Sequence, residues 1–96
     1  MPPRRRPPGD NRYPAGFLTR LGKDRHLSGK QQMVLRRLLG GESHKDIARA
    51  LGISLNTVNS HLKRIYEKFG VHDQSHLILG VGDTFRRLSP KGYRQS

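Results

Sequence analysis

The sequence has no cysteine among its 96 residues, which excludes disulfides, iron–sulfur clusters and thiolate zinc sites. It also lacks a long apolar run. Leu77-Ile78-Leu79 is as long as any, far short of a membrane span or the core of a secretory signal. No apolar segment follows Arg4-Arg5-Arg6, so that cluster does not read as a twin-arginine export signal. Apolar residues make up only 32% of the chain. That allows one small domain, packed by the residues that cluster between Leu27 and Val81. No nucleophile–base pair, carboxylate dyad or phosphate-cradling glycine loop stands out, so no enzymatic activity is expected. The expected setting is reduced and cytoplasmic, with no membrane attachment.

Acidic residues are scarce as well. Seven Asp and Glu stand against 19 Lys and Arg, giving a net charge of +12 and a pI of about 11.4. Solubility alone does not call for such an excess, and a polyanionic partner does. Five histidines are present, and His72 and His76 have i, i+4 spacing. No third ligand of the right type lies near them, so neither a metal nor a cofactor is expected.

The chain divides into three. Residues 1–26 hold five prolines and seven basic residues and read as a flexible basic arm or linker. Within that arm Arg4 to Arg6 either reach DNA, in a minor groove or along phosphates, or remain solvated. Tyr13, Phe17, Leu18 and Leu21 form a small apolar group that suggests a turn of helix packing back on the domain. Residues 27–82 form the ordered domain, and residues 83–96 read as a basic C-terminal tail.

The fold expected for the domain is all-α, a compact four-helix bundle flanked by flexible basic arms. Ser28 and Gln31 make a capping box that opens a first helix reaching about Leu39, with Val34, Leu35 and Leu38 inward and Gly40-Gly41 as its stop. Ser43 caps a second helix carrying Ile47, Ala48 and Leu51, and Gly52 ends it. Ser54 caps a third, in which Val58, Leu62, Ile65 and Phe69 form one stripe. Its opposite face carries Asn56, Asn59, Ser60, Lys63 and Arg64. A short helix, a glycine turn and a second helix that is polar and basic outward describe a helix-turn-helix. Asp73 opens a fourth helix. Leu77, Val81, Phe85 and Leu88 keep helical spacing to Leu88, but two glycines, each costing about 1 kcal/mol in a helix interior, and a possible new cap at Asp83 predict a break near Gly82.

The run from Leu27 to Val81 resembles the LuxR/GerE-type helix-turn-helix domain of bacterial quorum-sensing and response regulators. The residues that carry the resemblance include Leu27-Ser28, Val34-Leu35, Gly41, Lys45-Asp46-Ile47-Ala48, Leu51-Gly52-Ile53-Ser54, Thr57-Val58, His61, Ile65 and Lys68-Phe69-Gly70-Val71. There are departures. Gly29, Lys30 and Gln31 replace the family's usual proline, arginine and glutamate. Asn59 replaces a usual lysine, and the fourth helix opens with His72-Asp73-Gln74-Ser75-His76.

The resemblance implies a sequence-specific transcription regulator that binds double-stranded DNA as a homodimer, its third helix in the major groove. Asn56, Asn59, Ser60 and Lys63 are then the candidates for base contact, since asparagine suits adenine and lysine suits guanine. Thr57 and His61 are assigned to phosphates, supported by Ser43, Lys45, Ser54, Arg64 and Lys68. Leu77, Ile78 and Val81 are expected at the dimer contact, with closure of the monomer's own core as the competing role. Two other functions stay open: a module docking on the transcription machinery, such as RNA polymerase, and a nucleic-acid binder without sequence preference.

Overall fold

The computed structural model describes residues 13–88, so Arg4 to Arg6 and the segment after Leu88 lie outside the described residues. Five helices follow one another: α1 (Ala15–Asp24), α2 (Gly29–Leu39), α3 (His44–Leu51), α4 (Leu55–Phe69) and α5 (Gln74–Leu88). The all-α expectation holds, with one helix more than the expected four. The expected third helix is therefore α4 and the expected fourth is α5.

The apolar stripes meet in a single core. Val34, Leu35, Leu38, Ile47, Val58, Leu62, Ile65, Leu77 and Val81 are almost wholly removed from solvent. α4 lies at its centre and packs against α2, α3 and α5. Burial of each such side chain contributes about 1.5–3 kcal/mol, and for a domain this lean that sum is what orders the chain.

The starts of the helices follow the capping residues. Ser28 accepts from the Gln31 amide at 3.1 Å, and Gln31 Oε1 accepts from the Ser28 amide at 3.0 Å. Ser43 and Asp46 repeat that box on α3, and Ser54 accepts from the Thr57 amide on α4. Asp73 accepts from the His76 amide at 2.9 Å and so caps α5.

The helix-turn-helix closes at Gly52, whose φ of 70° is left-handed and favours glycine. Ile53 N–H bonds back to Ala48 O and Gly52 N–H to Arg49 O, at 3.0 and 3.3 Å. These are the paired bonds of a Schellman cap. The same pair of bonds ends α1, from Leu27 to Gly22 and from His26 to Lys23, but here the left-handed residue is His26, at φ 58°.

Residues 15–24 depart from the expectation of a flexible arm. They form α1, and Leu18 and Leu21 are core residues. The small apolar group seen in the sequence does pack back, and the Arg36 guanidinium donates to Thr19 Oγ1 at 2.6 Å to tie α2 to α1. Nor does α5 break at Gly82. Tyr13, Phe17 and Phe85 form a ring cluster with centroids 4.9–5.6 Å apart, which gives the second half of α5 something to pack on. Such contacts add about 0.5–1.5 kcal/mol per pair beyond burial, enough to offset a helical glycine. The approach is close at Gly82, where a Cβ would lie 3.2 Å from the Tyr13 hydroxyl.

Gly80 has open space around its would-be Cβ, unlike Gly82. Gly80→Ala is therefore expected to stabilise the domain by about 0.5–1 kcal/mol, the helix-propensity gain. Gly82→Ala should gain less, since Tyr13 must shift. Thermal unfolding of the two variants side by side measures the difference.

Candidate nucleic-acid interface

On α4 the stripe Val58, Leu62 and Ile65 faces the core, and the rest of the helix turns outward. Asn56, Asn59, Ser60 and Lys63 are all exposed on that outward side, so one surface holds all four base-contact candidates. Glu67, the sole acid of α4, is exposed on the same stripe one turn beyond Lys63. Its spacing from Lys63 is the one sequence signal that sets it on this face.

The phosphate candidates divide. Lys45 and Arg64 are exposed, and neither they nor Lys63 makes an ion pair among the described residues. Thr57 and His61 are half-buried at the edges of α4. Ser43 and Ser54 spend their hydroxyl oxygens on caps, and the Ser54 and Thr57 hydroxyls lie 2.9 Å apart. These caps hold the first turns of α3 and α4 with their remaining amides outward, where the helix dipole favours an anion.

Lys68 is engaged within the protein. Its ammonium donates to His26 O at 2.6 Å and to Gln31 Oε1 at 3.2 Å. It fastens the end of α4 to the α1–α2 connection while Lys68 itself stays exposed. Gln31, where the family usually has glutamate, still accepts that bond as a neutral amide. Beside it the Arg25 guanidinium lies 4.8 Å from the Phe69 ring centroid. That contact has no signal in the sequence.

The dimer assignment needs a larger correction. Leu77 and Val81 are 0% exposed and belong to the monomer's core. No partner can reach them in a folded protomer. At about 100° per residue Leu77 and Val81 lie within about 40° of each other on the core side of α5, and Ile78 falls at the edge of that stripe. Ile78, at 40% exposure, stays accessible, and Leu79, at 67%, is the apolar residue on α5 that the sequence reading left out. His44 Nε2 donates to Gln74 Oε1 at 3.0 Å and joins the start of α3 to the start of α5. The His76 ring lies 2.8 Å from Asp73 Oδ1. Among the described residues, no helix is long and apolar enough to cross a membrane.

A capped helix-turn-helix whose second helix turns a polar, basic face to solvent defines the DNA-binding domain class of transcription regulators. The sequence pattern described as bacterial regulatory proteins of the luxR family, GerE, matches residues 25–81, and the chain belongs to that family. It is 44% identical over 57 residues to the glycerol metabolism activator of Pseudomonas putida, covering 59% of this chain and 26% of that protein. The CsgBAC operon transcriptional regulatory protein of Escherichia coli is 34% identical over 61 residues, 64% of this chain and 28% of that protein. A probable transcriptional regulatory protein NarL of Mycobacterium tuberculosis is 41% identical over 49 residues, 51% of this chain and 23% of that protein. The chain thus spans about a quarter of the length of these curated relatives. No solved structure matches it.

The bonds from His76, first its amide and then its ring, hold the Asp73 carboxyl below the ordinary aspartate range. A folded-state pKa below the unfolded value gives stability that is present above the unfolded value and lost as pH falls through the folded one. Protection of the His76 amide, taken relative to its intrinsic exchange rate at each pH, is therefore expected to hold from neutral pH down to the ordinary aspartate range and to fall as pH drops below it. Asp73→Asn should remove that acid limb.

Proposed function

We propose that this domain is a sequence-specific DNA-binding transcription regulator that inserts α4 into the major groove and acts by binding, not by catalysis. The observation that carries the reading is the division of α4. A core-facing apolar stripe fixes the helix, and its exposed amide and lysine side chains are the types that pair with base edges. The net charge of +12 supplies the long-range attraction that brings such a surface to a polyanion. The relatives' names point the same way. A chromosomal target also implies the cytoplasm as the site of action.

Asn59→Ala and Lys63→Ala are each expected to reduce discrimination between a selected operator and a scrambled duplex by about 1–3 kcal/mol. His61→Ala should weaken binding to both duplexes alike, as a phosphate contact carries no base information. Equilibrium titrations of both duplexes at one salt concentration check this. Equal losses for all three variants would favour the sequence-tolerant binder instead.

The proposed assembly on DNA is a homodimer through the exposed edge of α5 at Ile78 and Leu79. Two protomers related by a two-fold axis meet an inverted repeat, its half-sites about 10 bp apart between centres. Ile78→Glu is expected to leave the melting transition in place and to abolish cooperative occupation of the paired half-sites. Leu77→Glu should unfold the protomer, since it buries a charge in the core. Melting curves and footprints on one- and two-half-site duplexes separate the two effects.

A further inference from the structure

The match to the luxR family covers residues 25–81, which leaves out α1 and the last turns of α5. Those two pieces pack on each other through Phe17 and Phe85, whose ring centroids lie 4.9 Å apart. The same Phe17 lines an open groove of about 780 Å³ between the two helices. Small-molecule sites span roughly 300–1,000 Å³, so the groove is of ligand size. Its apolar surface comes from Phe17, Leu21 and Leu88, and Leu88 is left 66% exposed. α1 contributes a gap as well as side chains. Gly16 lines the groove, and a Cβ there would meet nothing within 4 Å.

The charged groups of the groove are two arginines, Arg20 and Arg25, against one acid, Asp24. Neither Arg20 nor Asp24 forms an ion pair among the described residues. Arg25 lies over the Phe69 ring at 4.8 Å, a contact that holds its guanidinium without neutralising it. A second hollow on α1 shares Gly16, Arg20 and Asp24 with the groove and adds the cation Lys23. An apolar wall beside a surplus of positive charge focuses the field on a small anion. We propose that the α1–α5 groove binds an amphipathic monocarboxylate. Its hydrocarbon body lies on Phe17, Leu21 and Leu88, and its carboxylate meets the planar donor fork of Arg20. The surplus of one positive charge in the groove matches a single carboxylate. A neutral or cationic amphiphile satisfies the apolar wall and not the arginines. The site is separate from the outward face of α4, and the proposal does not depend on the DNA-binding reading.

The test uses the isotopically labelled full chain, followed by nuclear magnetic resonance. Sodium octanoate is the probe, with octan-1-ol and octylammonium as controls of equal chain length, all kept below micelle-forming concentrations. Octanoate is expected to shift the Phe17 and Leu21 amides saturably and to bind about tenfold more tightly than octan-1-ol, the factor that one charge-assisted hydrogen bond supplies. Octylammonium should bind weakest. Arg20→Gln is expected to weaken octanoate about tenfold and to leave octan-1-ol unchanged. Gly16→Leu fills the groove and should abolish binding of both, with a thermal transition that stays or rises because leucine favours a helix over glycine. The proposal is overturned by octanoate binding that persists in a folded Gly16→Leu chain, by equal affinities for octanoate and octylammonium, or by no shift at millimolar octanoate. Two rival occupants show in the same spectra. Shifts of these amides on diluting the free chain would assign the groove to a second copy. Overhauser contacts between Tyr93 and Phe17 would assign it to the segment after Leu88. Either result also overturns the proposal.

Discussion

The stripe formed by Val58, Leu62 and Ile65 on α4 meets α2, α3 and α5 at once. With apolar residues at 32%, the chain has little else to bury, and this stripe sets the rotation of α4 about its own axis. Once that rotation is fixed, Asn56, Asn59, Ser60 and Lys63 have no direction left but outward. The geometry of the candidate interface is therefore a consequence of core packing. The polar face is positioned by residues that never touch it.

The charges are arranged in keeping with this. Arg37 is balanced by Glu42, and Arg86 and Arg87 both lie against Asp83. Lys68, though exposed, donates to His26 O and Gln31 Oε1. Lys45, Lys63 and Arg64, on or beside the helix-turn-helix, have no such acidic partner. Pairing is not confined to one side, since Arg49 on α3 lies 4.0 Å from Asp46, and the potential over the helix-turn-helix comes from the excess of cations over acids. Surface ion pairs of this kind are worth at most about 1 kcal/mol each, so their consequence lies in the surface potential more than in stability.

α1 shows why part of the fold could not be read. Pro14 at its start makes no side-chain cap bond, and the left-handed residue that ends it is a histidine where glycine is the usual signal. It also sits in a segment rich in proline and arginine. Each local cue pointed to linker, and only the burial of Leu18 and Leu21 against the domain orders it. The continuation of α5 through Gly82 has the same origin, because the aromatic partners of Phe85 lie some seventy residues earlier in the chain.

By itself the sequence determined the caps at Ser28, Ser43, Ser54 and Asp73, the turns at Gly41, Gly52 and Gly70, and the two faces of α4. Each of these rests on interactions within a few residues, where spacing and side-chain chemistry suffice. The tertiary structure decided what depends on distant partners. It placed Leu77 and Val81 inside the protomer, and it tied the exposed Lys68 to His26 O and Gln31 Oε1. It also converted the end of a basic arm into α1. Sequence periodicity shows that a residue has an apolar or a charged neighbourhood available to it. Which neighbour fills that place is settled only when helices far apart in the chain compete for the same small core.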